Sequence, residues 1–476
     1  MVQKRIETVS IQMIGFVLAL LCCIGTTLAF IYSVRFYVSK QSIPMQITIL
    51  SITAISFFFA LSVCIMLPLD IYGDDTETYT SFWVTNYWIS LVLSWIVIPL
   101  LMEFRDAPEF HVFEQIRTAC RQFMATNILV MFVLLIFVVI VMSTEGLTAN
   151  SMRVVLVTMS NTFGLIVIIV ALGYGLVNIL RNMYLKTDRK AELKSIYAHI
   201  GVCKDKIVGA TTELQKLKDK LDAMQTGSMY HEYISNMLDL LPPTLIDTAN
   251  NNISTSWYEE LVNINKGIKI HMRDYNTYNN QMHLDIKKVI ALKKDSPWNV
   301  SVRPYIYVGL LISCSLLSFI VCWSEITIPA HMTMLPNSVP LSLLMLSYMA
   351  VCTYYSYTQL YPDWRRDLLY SSMIVGRFAI SIGLNYIDIL YGSGEAHNVQ
   401  YYNIYETFPY YSNFATYYPV CTLVFALFGA FNVIDKIKYY CGFVGTDQRD
   451  NRIALFEQEG ERLVDHEHRY MMESII

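Results

Sequence analysis

The chain has 476 residues, 54% of them hydrophobic and 16% charged, with a formal net charge of -4. Soluble domains carry about a quarter charged residues, so the composition argues against a soluble enzyme. The small charge, with no basic block, argues against a nucleic-acid binder. The ten cysteines make no CxxC pair, which signals neither a zinc ribbon nor a disulfide framework.

Apolar runs of about twenty residues, the length a helix needs to cross a bilayer, recur along the chain. Nine are expected to span: residues 11–33, 46–67, 87–104, 124–143, 154–180, 304–323, 338–357, 368–390 and 415–434. Each is expected as a helix, because lipid offers no partner to an open backbone. Lys and Arg in short connections set orientation. Arg35, Lys40, Arg105, Arg117, Arg121, Arg365, Arg366, Lys436 and Lys438 share one side. The opposite loops carry Asp70, Asp74, Asp75 and Glu77 and few bases. The amino terminus is therefore expected outside and the carboxyl terminus in the cytosol. Pro68, in LPLD at the end of span 2, is expected to stop that helix and leave Asp70 at the outer surface.

The connection after span 5 is long and holds 18 Lys/Arg against 14 Asp/Glu between residues 181 and 303. Leu193, Ile196, Ile200, Cys203, Ile207, Ala210, Leu214, Leu217, Leu221 and Met224 follow 3-4-3-4 spacing without a slip, the seam of a coiled coil. Pro242 and Pro243 break the middle. A second helix over about 257–294 lines Leu261, Ile264, Ile268, Tyr275, Tyr278, Met282, Ile286 and Val289 on one face. An antiparallel hairpin is the simplest arrangement, and pairing between two chains as a homodimer is the alternative. The fold class is thus all-α: an integral membrane protein of nine transmembrane helices with a cytosolic helical hairpin between spans 5 and 6. The expected domains are a five-helix transmembrane half (1–180), a cytosolic coiled-coil hairpin (181–303), a four-helix transmembrane half (304–434) and a cytosolic tail (435–476).

The sequence holds no GxxxxGK[ST], HExxH, GxSxG or GxGxxG, so no enzyme, cofactor or metal site is expected. Polar residues inside the spans carry more information. Arg377 lies near the middle of span 8, where an arginine costs about 2.5–3.5 kcal/mol on insertion, so it should face the bundle interior. Asn385 and Asp388 follow on the same helix. Asp388, eleven residues on, returns to Arg377's face but lies about 16 Å along the axis. Asn161 in span 5 is a candidate cross-helix partner. These four form either a structural polar lock or a ligand or ion site. Span 5 ends in GYGLVNILR, where Gly173 and Gly175 suit close packing or a kink. The last outer loop is rich in tyrosine, including Tyr401, Tyr402, Tyr417 and Tyr418, which suits a membrane interface or a ligand mouth.

LPLD at Leu67, YWISLVLSWIVIPLL from Tyr87, NTFGLIVIIVALGYGLVNILR from Asn161, VCWSE at Val321, GRFAISIGLN around Arg377 and Asn385, and YYPV at Tyr417 carry a resemblance. Over about residues 10–465 the chain resembles the limb-region-1-like (LMBR-like) family of multi-pass membrane proteins, and most of all its LMBR1 domain-containing protein 2 branch. Its central loop is shorter and it lacks a long charged carboxyl tail, which puts tail-dependent partners in doubt. The resemblance implies a receptor or accessory protein in endocytosis or signalling. For this branch it implies a plasma-membrane protein tied to regulation of G-protein-coupled receptor signalling. Another branch is tied to cobalamin export from the lysosome. The expected partners are the lipid bilayer, cytosolic proteins through residues 190–294, and an unidentified small-molecule or lipid ligand; no nucleic acid is expected.

Overall fold

The structure, a computed structural model, describes residues 19, 21–28, 43–72, 76–128, five positions between 132 and 139, 149–224, 237, 257–294, 302–328, 338–360, 368–391, 399–405, 411–431, 433 and 454–466. Among them all regular structure is helical. In chain order the helices are α1 (Ile43–Tyr72), α2 (Thr76–Val92), a π-helical stretch (Leu93–Val97), α3 (Ile98–Asp106), α4 (Val112–Thr126), α5 (Ala149–Thr187), α6 (Arg189–Met224), α7 (Trp257–Lys293), α8 (Arg303–Thr327), α9 (Val339–Leu360), α10 (Leu368–Tyr391), α11 (Gln400–Tyr405) and α12 (Tyr411–Ala430). A further helix, α13, covers 454–466.

Among the described residues, six helices are long and apolar enough to cross a membrane: Pro44–Tyr72, Thr78–Asp106, Ser160–Thr187, Arg303–Thr327, Val339–Tyr357 and Leu368–Tyr391. They carry the expected spans 2, 3, 5, 6, 7 and 8. The ninth falls on α12, whose apolar part, Tyr417–Ala430, is shorter. The expected first and fourth spans lie largely outside the described residues.

The chain forms two compact units. The first draws its described residues from Met1–Pro99, Thr126–Met183 and Gly309–Ile437. Its centre is α10, whose most apolar window is 94% buried, as expected of a helix that is hydrophobic all round. The corresponding window of α8 is 11% buried; Leu316 and Phe319 stand out from it, as lipid-facing side chains would. Apolar surface does not drive helices together inside lipid, so close packing and polar contacts must hold the bundle. Three glycines of α5 supply the close packing. A Cβ on Gly164 would fall 2.1 Å from Ser381 Oγ of α10. One on Gly173 would fall 2.3 Å from the Thr422 carbonyl oxygen of α12, and one on Gly175 2.2 Å from the Cys352 carbonyl oxygen of α9. The polar contacts are short and buried. Ser56 donates to the Ser372 carbonyl at 2.9 Å, joining α1 to α10. Asn86 donates to Ser62 Oγ at 2.8 Å, joining α2 to α1.

Pro68 does not end its helix: α1 runs on to Tyr72 with Pro68 inside it. Proline removes one backbone N–H, and neighbouring helices and local adjustment compensate for it within a membrane bundle. Asp70 is accordingly not at the surface but 3% exposed. Tyr401, Tyr402 and Tyr418 are buried as well, while Tyr417 is exposed.

The second unit draws on Leu100–Ala125, Tyr184–Val308 and Lys438–Ile476. Asp188 separates α5 from α6 and caps the latter, its Oδ1 accepting the Lys190 N–H at 2.9 Å. Helices α6 and α7 pack antiparallel within one chain. Leu214 and Leu221 meet Leu261, Ile264 and Ile268 in one buried cluster; Tyr197 and Ile200 meet Ile286 and Val289 in another. The segment after α3 straps the pair at Asn265 and Lys269. Asn265 donates to the Pro108 carbonyl at 2.7 Å and Lys269 to that of Ala107 at 2.6 Å. Burial holds the Lys269 ammonium below its ordinary value, against the pull of Asp106 and Glu109. Helix α4 turns Thr118 to Glu109 and leaves Val112, Phe113, Ile116 and Met124 exposed. Arg303 ties the other end of the pair, donating to Glu192 Oε2 with both side chains 12% exposed.

A third helix lies on the pair. Val464 of α13 joins the Tyr197 cluster, and Lys194, Lys204 and Lys293 pair with Glu457, Glu459 and Asp465. Two glycines allow the backbones to touch: a Cβ on Gly201 would fall 2.3 Å from the Phe456 carbonyl oxygen, and one on Gly460 2.1 Å from that of Tyr197. Part of the carboxyl segment, expected as a tail, is thus packed structure.

His199 of α6 and Asp285 of α7 bridge the pair at 2.7 Å. The hydrogen bond with Asp285, helped by Cys203, lifts the imidazole to about 10. Burial would raise Asp285, but His199 and Lys288 hold it below its ordinary value. A histidine raised on folding stabilises fully below its unfolded pKa of about 6.5, and that contribution disappears as pH rises through the folded value. The half-exposed ring limits the effect to about 0.5–1 kcal/mol. In thermal unfolding of the full chain, wild type should exceed His199→Gln by that margin near pH 6, and the two should converge above about pH 10. A gap that persists unchanged at high pH would mean the contact is not ionic.

Candidate functional site

Among the described residues of the first unit, three largely buried polar sets are built around an Arg, Asp or Glu, and each lies on α10 or touches it. The first is around Arg377. The π-helical stretch Leu93–Val97 shifts the backbone ladder by one residue, with the Ile98 N–H bonding to the Leu93 carbonyl; such turns disturb regular hydrogen bonding. Arg377 donates from Nε and Nη2 to the Ser94 carbonyl in that stretch, at 3.2 and 2.9 Å. Its guanidinium lies 4.1 Å from the centre of the Trp95 ring and 5.8 Å from that of Phe163, within cation–π range. Trp95 is fixed in turn by a 3.1 Å hydrogen bond to Ser160 Oγ. Asn161, expected as the cross-helix partner, is buried on the stretch of α5 where Gly164 meets the α10 backbone at Arg377.

The second set is around Asp70. Its carboxylate accepts from Trp83 Nε1 at 3.0 Å and from the backbone N–H groups of Tyr401 and Gln400 at 2.8 and 3.4 Å. A side chain from α1 thus satisfies the orphan donors at the start of α11, the role an N-cap normally plays locally. Tyr401 stacks edge-on against Trp83 at 4.7 Å and donates its hydroxyl to the Ile380 carbonyl at 2.6 Å. Gly383 makes room: a Cβ there would fall 2.4 Å from the Tyr401 hydroxyl. Asp70→Leu should orphan these buried donors at about 1–3 kcal/mol each. The melting temperature of the purified protein should fall clearly, and Asp70→Asn should recover part of the loss by keeping one acceptor oxygen.

The third set joins two expected residues to two unexpected ones. Asn385 donates to Glu325 Oε1 at 3.1 Å. Tyr418 donates to Asn385 Oδ1 and also reaches Asp388 Oδ2 at 3.5 Å. Glu325, Asn385 and Asp388 are fully buried and Tyr418 nearly so. Of the four residues that the sequence singles out, then, the structure brings Asn385 and Asp388 together. Arg377 sits in a different contact set, eight residues from Asn385 and about 12 Å along the helix. Glu325 escapes notice in the sequence because hydropathy ends span 6 at residue 323, which leaves it in an outer loop; α8 continues to Thr327. Tyr418 is lost there among the loop tyrosines. Among the described residues, no three His, Cys, Asp or Glu side chains are grouped to hold a metal ion.

Helices of spanning length around a buried polar interior define a multi-pass membrane protein. The family model described as LMBR1-like membrane protein matches residues 12–434, and the chain belongs to that family. It is 20% identical to LMBR1 domain-containing protein 2 homolog B of Dictyostelium discoideum over 536 aligned positions, covering 90% of this chain and 67% of that protein. It is 32% identical over 123 residues to the Caenorhabditis briggsae G-protein coupled receptor-associated protein LMBRD2, covering 25% of this chain and 18% of that one. The human protein of that name is 24% identical over 163 residues, 34% of this chain and 23% of its own length. The chain thus matches about two thirds of the first relative's length and less than a quarter of the other two. No solved structure matches it.

Proposed function

We propose that this protein is a receptor or scaffold of the plasma membrane that docks a partner on its helical hairpin and takes part in G-protein-coupled receptor signalling. The observation that carries this reading is the α6–α7 pair, two helices of 36 and 37 residues packed on one another and braced by α13. Such an arm offers a stiff protein-binding surface. Val208 and Ile270 stand exposed on it, 54% and 37% accessible. The Lys and Arg of the short connections, Arg35, Lys40, Arg105, Arg117, Arg121, Arg365 and Arg366 among them, support a cytosolic placement of this segment. Relatives named as G-protein coupled receptor-associated proteins support the choice of partner class.

The test is resonance energy transfer in cells between the full chain and a co-expressed G-protein-coupled receptor. The expected signal exceeds that of an unrelated multi-pass protein and falls several-fold in Val208→Asp/Ile270→Asp at equal surface level. A signal no higher than the control contradicts the partner class. A signal unaffected by the double substitution contradicts docking on the hairpin.

A second reading is an accessory or transport protein for a small amphipathic molecule such as a lipid or cobalamin. The Glu325–Asn385–Tyr418–Asp388 set favours it, because ionisable groups inside membrane helices commonly mark a pathway.

A further inference from the structure

Glu325 is a buried acid whose surroundings are incomplete. Asp70, the comparable carboxylate of α1, receives donors on both oxygens. Glu325 is 0% exposed, and Asn385 fills its Oε1. Its Oε2 is buried with no hydrogen-bond partner among the described residues. The side chain opens a buried hydrogen-bonded chain: Asn385, which donates to it, accepts from Tyr418 through its amide oxygen, and Tyr418 also reaches the Asp388 carboxylate. Arg377, the cation of α10, is committed to the Ser94 carbonyl and the Trp95 ring.

An ionised carboxylate inside a membrane bundle is strongly disfavoured unless a positive charge faces it. Alkali cations take oxygen ligands of the kinds gathered here, and a proton neutralises the same group. We propose that Glu325, at the head of the hydrogen-bonded chain that runs through Asn385 and Tyr418 to Asp388, is an intramembrane site that takes up one positive charge, an alkali cation or a proton. The titratable groups on that chain are Tyr418 from α12 and Asp388 from α10, and Cys322 lies one turn earlier on α8. The proposal stands apart from docking on the hairpin, since it concerns the other unit and a different class of ligand.

The test uses the full chain in lipid nanodiscs. Its melting temperature is followed against sodium at constant ionic strength, with choline as replacement, and against pH. Sodium should raise it by several degrees if the charge is an alkali cation, and falling pH should raise it if the charge is a proton. Either response should vanish in Glu325→Gln, which keeps the shape of the side chain and its contact with Asn385. A second measurement does not depend on that variant folding. Labelling of wild-type Glu325 by a hydrophobic carbodiimide, read by peptide mass, should be blocked by sodium in the first case and rise as pH falls in the second. A melting temperature indifferent to sodium and pH, or a response that Glu325→Gln retains in full, overturns the proposal. Labelling that is absent or identical under all conditions overturns it too.

Discussion

Gly175→Val should leave almost no folded protein in the membrane. A Cβ at this position would lie 2.2 Å from the Cys352 carbonyl oxygen and 2.7 Å from the carbonyl carbon. These are backbone atoms of α9, so no side-chain rotation can relieve the overlap. Either α5 and α9 move apart, or both helices bend. Overpacking that moves side chains costs about 1–3 kcal/mol, and displacing one backbone from another should exceed that range. Whole domains are stable by only about 5–15 kcal/mol. Moving α5 from α9 would also disturb its contacts through Gly173 with α12 and through Gly164 with α10. Fluorescence-detected size exclusion should show aggregate or no peak for Gly175→Val, and Gly175→Ala, which carries the same Cβ, should lose most of its peak as well. Gly309→Ala, at a site with nothing within 4 Å, should behave as wild type. A normal peak and melt for Gly175→Val would mean that α5 and α9 do not meet there.

Arg377→Leu should separate insertion from assembly. Insertion should improve, because the arginine costs about 2.5–3.5 kcal/mol at the centre of a span. Assembly should weaken, because the folded bundle gives the guanidinium the Ser94 carbonyl and the Trp95 ring, whereas an isolated helix would expose it to lipid. A charged hydrogen bond contributes about 1.5–3 kcal/mol and a desolvated cation–π contact about 2, so the loss on assembly should be about 3.5–5 kcal/mol. Arg377→Lys should not restore it, since lysine has neither the planar face nor the paired donors. The measurement is the melting temperature of the purified protein beside the efficiency of membrane insertion. An unchanged melt for Arg377→Leu would remove Arg377 from the lock between α10 and the π-helical stretch.

The long elements are legible in the sequence because their signals are local. Ten seam positions from Leu193 to Met224 repeat without a slip, and the structure buries or half-buries those it describes, Leu214, Leu217 and Leu221 in one cluster with α7 and Leu193, Ile196 and Ile200 in another that α13 joins. The spans over α1, α5, α8, α9 and α10 follow from runs of apolar residues. The contacts between elements are not legible. Asp70 finds its partners 330 residues away at Gln400 and Tyr401, and nothing around LPLD announces that. Arg377 stands out by its position, but its acceptor is a backbone carbonyl, which leaves no trace in side-chain identity. GYGLVNILR signals close packing without saying against what. The short helix over 454–466 has charges for Lys194, Lys204 and Lys293 and a glycine at position 460. These have meaning only once α6 and α7 are in place.

The measurement that bears most directly on the account is the distance between spin labels on the two arms of the hairpin. Labels at Val202→Cys and Leu284→Cys, in the full chain with its reactive cysteines replaced, sit on the exposed sides of α6 and α7. The level at which they sit is that of the Ile200–Ile286 cluster. Pairing within one chain predicts a short, narrow distance distribution that survives dilution with unlabelled protein. A distribution that broadens, or disappears on dilution, would show that the seam joins two chains or none, and the stiff arm on which the proposed docking rests would be lost.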